Sequence, residues 1–443
     1  MSAAIALVGR PNVGKSSLFN RLAKKRAALV DDMPGVTRDR HYSDIVIGDR
    51  EGILIDTGGF DFTKETLGSS VTRQILLALD ESDLVVFVTD GVEGLCPEDA
   101  EIAKILRKSG KPAVLAVNKI DGPEKVSLAG EFHKLGFAPL LAVSAAHNRG
   151  IEALKEEMRK YLDPVSPPRD AADPTPRLAV VGRPNAGKSS LVNRLAGEER
   201  MVVDSEPGTT RDALDVTVRA DGKDYVFVDT AGVRRKGRVS EKIEKISVIK
   251  ALKSLDKADV ALLMVDATTG LSDQDAHIGG HAFEKGRPVV FLLNKWDLVK
   301  DKEEARKNFE KDLSVKMSFL EKSPWFPVSA LTGKGLKGLF PLVDKIMTQF
   351  TFQATTSEVN KVLEKATELH SPPQVGRTRL KFYYATQAGT RPPSFVVFSN
   401  RPKSVHFSYR RFLINRFKEA FGLDLVPAKL YVRDRHREDG GKN

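Results

Sequence analysis

Cysteine is almost absent from this chain of 443 residues, since Cys96 is the only one. A single thiol excludes an internal disulfide framework and cysteine-rich zinc sites, and it favours a reducing compartment. Long apolar runs are also missing, because no stretch approaches the roughly 20 residues that a membrane-spanning helix needs. The first apolar run has no basic region ahead of it and leads into a glycine-containing loop, so we do not interpret it as a signal peptide. We therefore expect a cytoplasmic protein with no membrane partner.

Acidic residues are outnumbered, with 59 Asp and Glu against 70 Lys and Arg and a formal net charge of +11. The excess is uneven along the chain. Residues 351–443 contain 17 basic and 8 acidic residues, whereas the part before them is nearly balanced. A basic C-terminal region favours an acidic partner such as a nucleic acid.

A phosphate-binding pattern, G-x-x-x-x-G-K-S, occurs twice, and the two copies start 173 residues apart. Each follows a short apolar run and precedes a helical pattern. In this context the glycines let backbone N–H groups surround a polyphosphate, while the helix N-terminus and the lysine add positive charge. A single match could be a simple turn, but two matches in the same context make that reading remote. The predicted phosphate-binding residues are Gly9, Arg10, Pro11, Asn12, Val13, Gly14, Lys15 and Ser16, and Gly182, Arg183, Pro184, Asn185, Ala186, Gly187, Lys188 and Ser189.

A second motif, D-x-x-G, recurs at the same distance after an apolar strand pattern. A carboxylate at such a strand end can orient Mg²⁺, and the glycine N–H can meet a γ-phosphate. Its residues are Asp56, Thr57, Gly58 and Gly59 in the first copy and Asp229, Thr230, Ala231 and Gly232 in the second. We predict Mg²⁺ sites made by Ser16, Thr37 and Asp56, and by Ser189, Thr210 and Asp229. The predicted catalytic residues include Lys15, Thr37, Lys188 and Thr210.

A third motif, N-K-x-D, predicts which base is bound. Its carboxylate can accept hydrogen bonds from guanine N1–H and N2–H₂, whereas adenine presents an acceptor there and leaves the charge unpaired. The lysine stem can lie along the base, and a Ser-Ala pair can close the pocket. The residues are Asn118, Lys119 and Asp121 with Ser144 and Ala145, and Asn294, Lys295 and Asp297 with Ser329 and Ala330. Together the ordered motifs predict two GTP sites.

Apolar strand patterns alternate with amphipathic helical patterns in both copies, which is typical of βαβ units and a mostly parallel sheet. We divide the chain into a first domain at 1–163, a proline-rich linker at 164–176, a second domain at 177–350 and a basic module at 351–443. The basic module has the predicted order α-β-β-α-β. Its end, residues 433–443, is expected to be disordered.

Two GTP-binding domains with these motifs (G domains), followed by a small basic α+β module, closely resemble the bacterial ribosome-associated GTPase family called Der or EngA. The resemblance covers essentially the whole chain. It implies two P-loop GTPase folds with a C-terminal KH-like domain, GTP hydrolysis, a role in large ribosomal subunit assembly with ribosomal RNA as partner, and a monomer. It also implies that Asn12 and Asn185 help to hold an activating K⁺ beside the phosphates, and the alternative is that these asparagines only stabilise the loop by local hydrogen bonds.

The sequence departs from common patterns in two places. Many GTPases have a water-orienting glutamine after the D-x-x-G glycine, but Phe60 and Val233 stand there. No G-x-x-G loop occurs in residues 351–443, so we expect recognition of RNA shape and phosphates rather than of a single-stranded sequence. Residues 233–238 are basic and are either an RNA contact or a solvated charge run. A nucleotide-gated RNA-binding scaffold with little turnover and a GTPase of tRNA modification are the alternative functions.

Overall fold

The computed structural model describes residues 3–23, 42–57, 75–76, 78–79, 82–164, 174–197, 215–230, 247–372, 374–375 and 378–434. The described residues up to Pro164 form one compact unit, and those from Pro174 onward form another. Within these ranges, no helix is both long and apolar enough to cross a lipid bilayer. The predictions for Thr37, Gly58, Gly59, Phe60, Thr210, Ala231, Gly232, residues 233–238, residues 165–173 of the linker and residues 435–443 lie outside the described residues.

The first unit is an α/β domain built on a largely parallel sheet. Its elements are β1 (Ala3–Val8), α1 (Lys15–Leu22), β2 (Tyr42–Ile47), β3 (Arg50–Asp56), β4 (Leu84–Asp90), α2 (Pro97–Ser109), β5 (Ala113–Asn118), a 3₁₀ helix (Pro123–Leu135), β6 (Leu140–Ala142), α3 (Ile151–Arg159) and β7 (Asp163–Pro164). The strand order is β2-β3-β1-β4-β5-β6, with β7 paired to β3. Every residue of β1 and β4 is buried, which explains their unbroken apolar sequences.

The second unit begins with the same architecture. Its first elements are β8 (Arg177–Val181), α4 (Lys188–Gly197), β9 (Val216–Ala220), β10 (Lys223–Phe227), α5 (Ser247–Lys257), β11 (Val260–Asp266), α6 (Asp273–Glu284), β12 (Val289–Asn294), α7 (Lys302–Lys316), a 3₁₀ turn (Ser318–Leu320), β13 (Trp325–Pro327), a second 3₁₀ turn (Leu336–Gly338) and α8 (Leu339–Phe350). The strand order is β13-β12-β11-β8-β10-β9, and only the β9–β10 ladder of this sheet is antiparallel among the described residues. Each phosphate loop therefore connects a central strand to a helix.

The rest of the second unit is a small α+β module. It contains α9 (Thr356–Leu369), β14 (Gln374–Val375), β15 (Thr378–Arg379), β16 (Phe382–Gly389), β17 (Ser394–Ser399), a 3₁₀ turn (Pro402–Ser404), α10 (Phe407–Ala420) and β18 (Lys429–Asp434). Strand β17 pairs antiparallel with β16 and parallel with β18. The predicted α-β-β-α-β order is confirmed, and the short β14–β15 ladder is an addition to it. The expected disorder from residue 433 onward is wrong for Arg433 and Asp434, because both pair with β17 at the end of β18.

The α/β part of the second unit and its C-terminal module share one hydrophobic core. Residues at the end of α8, such as Phe350, belong to the same buried cluster as Phe395 and Phe417 of the module, whose rings stack with centroids 4.8 Å apart. Polar contacts reinforce this contact surface, since Arg391 Nη1 lies 3.4 Å from Asp259 Oδ1. The two parts of this unit are thus joined by packing as well as by the chain.

Candidate nucleotide-binding sites

The first phosphate loop is folded around the amino group of Lys15. Its Nζ donates hydrogen bonds to the carbonyl oxygens of Gly9 at 2.8 Å and Arg10 at 2.7 Å, and the residue is buried. Burial lowers the pKa of Lys15 to about 8, although the nearby carboxylate of Asp56 acts in the opposite direction. A buried ammonium group at a helix N-terminus is suited to bind an anion.

The side chain of Asn118 ties this loop to the base-recognition motif. Its Nδ2 donates to the carbonyl oxygen of Val13 at 2.9 Å, and its Oδ1 accepts the backbone N–H of Ala145 at 3.0 Å. Gly14 lies against the same amide with a φ of +90°, and a Cβ there would come within 2.3 Å of Asn118 Nδ2. The second glycine of the motif is therefore required by both its conformation and the close approach of this side chain.

Two of the three residues predicted to hold Mg²⁺ in the first unit, Ser16 and Asp56, are described, and they are in contact. Ser16 Oγ donates a hydrogen bond to Asp56 Oδ2 at 2.8 Å, at the point where β3 ends. A hydroxyl and a carboxylate are the oxygen ligands that Mg²⁺ prefers, so this pair fits the ion. The neighbouring Thr57 has a structural contact, because its Oγ1 donates to the carbonyl oxygen of Leu7 at 2.8 Å.

The predicted base pocket is also assembled in the first unit. Ser144 Oγ donates to Asp121 Oδ1 at 2.7 Å, and this hydrogen bond lowers the pKa of the Asp121 carboxyl. An aspartate carboxyl is ionised at neutral pH even without this shift, and the ionised form is the acceptor that the predicted guanine contact requires. Lys119 Nζ lies 2.5 Å from Asp90 Oδ2. Arg21 of α1 donates to the carbonyl oxygen of Ala145 at 3.0 Å, which joins the pocket to the phosphate-loop helix.

The second unit repeats the loop geometry closely. Lys188 Nζ donates to the carbonyl oxygens of Gly182 and Arg183, both at 2.7 Å. Asn294 Nδ2 donates to the carbonyl oxygen of Ala186 at 2.7 Å, and its Oδ1 accepts the N–H of Ala330 at 2.8 Å.

The asparagines of the two phosphate loops also match. Asn12 and Asn185 are both exposed, with φ values of 65° and 62°. The two loops therefore share a left-handed residue at this position as well as most of their sequence.

The predicted Mg²⁺ carboxylate is placed differently in the second unit. Asp229 lies beyond the end of β10 with a left-handed φ of 55°, and its N–H donates to Asp215 Oδ1 at 2.9 Å. Its own carboxylate accepts a hydrogen bond from Ser254 Oγ at 3.2 Å, and burial raises its pKa. In this state Asp229 faces α5, so the structure does not bring it to Ser189 as it brings Asp56 to Ser16.

The second base pocket is less fully connected. Ser329 Oγ accepts the N–H of Thr332 at 3.2 Å, while Asp297 is exposed. Lys295 Nζ nevertheless donates to Asp266 Oδ2 at 2.7 Å, as the equivalent lysine does in the first unit. The lysine and its acidic partner therefore recur in both pockets, as do the contacts of Asn118 with Ala145 and of Asn294 with Ala330.

Sequence reasoning missed four acidic residues near the sites. Asp90 and Asp266 contact the base-motif lysines, and the buried Asp99 and Asp275 face the phosphate-loop arginines. Arg10 Nε lies 3.5 Å from Asp99, for example. A signal was available, because both acidic pairs and both lysines recur at one constant separation of 176 residues.

The arginines of the basic C-terminal module differ in how far they are exposed to a partner. Arg410 donates to the carbonyl oxygens of Val405 at 3.1 Å and Pro402 at 2.9 Å, and burial lowers its pKa. Arg416 lies 2.6 Å from Glu419, whereas Arg411 and Arg433 are exposed. The aromatic residues divide as well, since Phe395 is buried but Tyr383 is 44% exposed.

Comparison with known proteins agrees with this arrangement. A family model described as a 50S ribosome-binding GTPase matches residues 4–119 and again 177–295, and one described as the KH-domain-like C-terminal domain of EngA bacterial GTPases matches residues 353–433. GTPase Der from Geotalea daltonii is 47% identical over 442 residues, covering 100% of each chain. GTPase Der from Syntrophobacter fumaroxidans is 48% identical, covering 98% of this chain and 99% of its own.

Among solved structures, the chain is similar to a variant of Era from Aquifex aeolicus bound to GDP·AlF₄⁻, with 20% identity over 59% of this chain and 93% of that one and a TM-score of 0.29. The full-length similarity to the curated relatives and the repeated family match decide the assignment. This chain belongs to the Der (EngA) family of GTPases, with two tandem G domains and a KH-like C-terminal domain.

Proposed function

We propose that this GTPase is a molecular switch in assembly of the large ribosomal subunit, and that the nucleotide state of its two G domains controls its binding to ribosomal RNA. The description of the matching family model as a 50S ribosome-binding GTPase supports the choice of particle. The basic C-terminal region supports an RNA partner, because phosphate contacts by Lys and Arg dominate such binding. We further propose a cytoplasmic monomer.

In each G domain the phosphate loop binds the triphosphate and the N-K-x-D motif selects guanine. Lys15 and Lys188 meet the outer phosphates, and the aspartates at 121 and 297 accept hydrogen bonds from the base. Ser16 with Asp56, and Ser189 with Asp229, hold Mg²⁺, which when bound neutralises charge on the phosphates. Thr37 and Thr210 close over the same metal. The preformed contacts of Lys15 and Asn118 support these assignments for the first domain.

We propose that Asn12 and Asn185 hold K⁺, which would supply the positive charge that an arginine finger supplies elsewhere. Their shared left-handed conformation and exposure at the loop fit this assignment. Turnover of GTP should then be faster in potassium than in sodium at equal ionic strength. Equal rates in the two salts would exclude the assignment.

The observation that carries the proposal is the hydrophobic core shared by the second G domain and the KH-like domain. A nucleotide-dependent movement of that G domain is transmitted to the basic surface, because packed cores deform as units. The ion pair between Arg391 of the KH-like domain and Asp259, just before β11, also links the two domains.

Co-sedimentation with purified ribosomal subunits tests the proposal. We expect the full chain to bind the large subunit with a GTP analogue and to bind it more weakly with GDP or without nucleotide. Binding should fall as the salt concentration rises. Binding that is independent of nucleotide, or that is equal for both subunits, would contradict it.

A second candidate function is a nucleotide-gated scaffold whose second G domain binds GTP with little turnover. The position of Asp229, held by Ser254 rather than by Ser189, favours it. Single-turnover hydrolysis in the separate variants Lys15→Ala and Lys188→Ala distinguishes the two candidates. Hydrolysis that remains in Lys15→Ala reports the second site and argues for two active domains.

A further inference from the structure

We propose that Asp90 and Asp266, which lie outside the recognised motifs, are positioning residues that hold the base-motif lysines in place for guanine binding. The inference rests on the proposed function of Lys119 and Lys295. It concerns two carboxylates that the sequence motifs do not include.

The sheet places each carboxylate beside its lysine. In the parallel β4–β5 ladder Asp90 pairs with Asn118, and in the β11–β12 ladder Asp266 pairs with Asn294. Each aspartate is the last residue of its strand. It lies beside the asparagine that ends the neighbouring strand, and the lysine is the next residue after that asparagine. The carboxyl ends of the strands form the edge where ligands bind in open α/β sheets.

The contact is short in both domains. Lys119 Nζ lies 2.5 Å from Asp90 Oδ2, and Lys295 Nζ lies 2.7 Å from Asp266 Oδ2. Both lysines have a left-handed backbone, with φ values of 67° and 63°. The same pair has thus formed twice on loops of different sequence, Gly91-Val92-Glu93 and Ala267-Thr268-Thr269.

The carboxylate is the fixed partner. The Asp90 side chain is 3% exposed while that of Lys119 is 41% exposed. Asp90 Oδ1 accepts the N–H groups of Val92 at 2.9 Å and Glu93 at 3.2 Å, which leaves Oδ2 for the lysine.

In the second domain Asp266 Oδ1 accepts both the N–H at 3.0 Å and the Oγ1 hydroxyl at 2.6 Å of Thr268. A buried carboxylate fixed by one oxygen can orient a flexible lysine with the other. The lysine then loses less side-chain freedom when a base packs against its stem.

Two substitutions separate positioning from a structural role. Asp90→Asn keeps an Oδ1 acceptor for the turn and removes the charge from the lysine contact. Asp90→Ala removes both. If Asp90 positions Lys119, Asp90→Asn weakens GDP binding by about tenfold while leaving the thermal unfolding midpoint near that of the parent.

The deciding experiment is a double-mutant cycle in the full chain, with Lys188→Ala silencing the second site and fluorescent GDP as the probe. The affinity for GDP is measured for Asp90→Asn alone and for Asp90→Asn combined with Lys119→Met. If Asp90 positions Lys119, Asp90→Asn lowers the affinity when the lysine is present and lowers it no further when methionine replaces the lysine. Equal losses in both backgrounds would overturn the inference.

Two further readouts complete the test. Binding of IDP, which lacks the 2-amino group, should weaken by the same factor as binding of GDP, because the lysine stem packs against the face of the base and not against its Asp121-facing edge. A loss confined to GDP would contradict positioning. If Lys119→Met alone leaves GDP binding unchanged, the proposed role of the lysine is wrong. Additive losses in the double variant would instead show that the lysine contributes but that Asp90 does not position it. The mirror cycle uses Asp266→Asn and Lys295→Met with Lys15→Ala.

Discussion

The two G domains carry the same motifs, yet the carboxylates proposed to orient Mg²⁺ lie in different places. Asp56 ends β3 and accepts a hydrogen bond from Ser16. The matching Asp229 lies two residues past the end of β10 and accepts from Ser254 of α5 instead. By contrast, the phosphate-loop lysines and the asparagines of the N-K-x-D motifs make matching hydrogen bonds in the two domains.

The difference follows from residues outside the motifs. Aligning the two copies through their strands places Ala78 where the second copy has Ser254, and Tyr42 where it has Asp215. The first domain therefore lacks the hydroxyl that holds Asp229 and the carboxylate that accepts its N–H. A motif thus determines which groups are present, while neighbouring elements determine where a carboxylate points.

The largest effect is expected from removing the phosphate-loop lysines one at a time. Lys15→Ala and Lys188→Ala should each lower single-turnover GTP hydrolysis at their own site by about 10²–10³-fold, because each removes the charge that we propose to meet the outer phosphates. Rapid-quench measurements on the two variants give the rate of the remaining site. Lys104→Ala, on the exposed face of α2, is the control. If either variant abolishes hydrolysis at both sites, the two domains do not act separately.

The second comparison concerns stability. Asp83 and Asp259 have the same place at the start of β4 and β11, where each accepts a backbone N–H at 2.8 Å and 3.0 Å respectively. Asp259 additionally faces Arg391, and both side chains are at least nine-tenths buried. Arg391→Ala should therefore lower the free energy of unfolding of the second unit by about 1–3 kcal/mol.

Urea unfolding followed by tryptophan fluorescence measures this effect, because Trp296 and Trp325 are the only tryptophans and both lie in that unit. Arg401→Ala, at an exposed position of the KH-like domain, is the matched control. An unchanged midpoint in Arg391→Ala would show that the pair adds no stability.

The sequence was sufficient for elements whose residues lie close together in the chain. Unbroken apolar runs predicted β1 and β4, and the glycines of each loop predicted the turn between strand and helix, while phosphate binding there stays a prediction. The position of Asp229 could not be predicted, because it depends on Ser254 and Asp215, which belong to other elements. Arg410 is a local exception, because its guanidinium binds the carbonyl oxygens of Val405 and Pro402, five and eight residues earlier in the chain. That contact depends on the conformation of the turn before α10, which no sequence motif indicates.

A smaller effect is expected when the restraint on Asp229 is removed. Ser254→Ala should lower the Mg²⁺ concentration needed for half-maximal GDP binding at the second site by about threefold to tenfold, because one hydrogen bond to the carboxylate is lost. A Mg²⁺ titration with fluorescent GDP in a Lys15→Ala background measures it. The mirror variant Ala78→Ser should change the first site little, since Asp56 already contacts Ser16. An unchanged Mg²⁺ requirement in Ser254→Ala would mean that the hydroxyl does not restrain Asp229.

The smallest expected effect is a proton taken up by the first site. The pKa of Lys15 is lowered to about 8 by burial, so about half of its amino groups are neutral at pH 8 in the free protein. Phosphates restore the charged form, and GDP binding should therefore take up about half a proton at pH 8 and about a tenth at pH 7. The folded pKa lies below the value of 10.5 for the unfolded chain. The unfolded state therefore binds more protons between these values, and this group increases the free energy of unfolding as pH rises through that window.

Calorimetry of GDP binding to the Lys188→Ala chain, repeated in two buffers with different enthalpies of ionisation, measures the uptake directly. Observed heats should differ between the buffers at pH 8 and converge at pH 7, because uptake scales with the neutral fraction of Lys15. Heats that agree at both pH values would mean that the buried amino group stays charged without a ligand. In that case the carbonyl oxygens of Gly9 and Arg10, together with the nearby Asp56 carboxylate, are sufficient to keep Lys15 in the ammonium form.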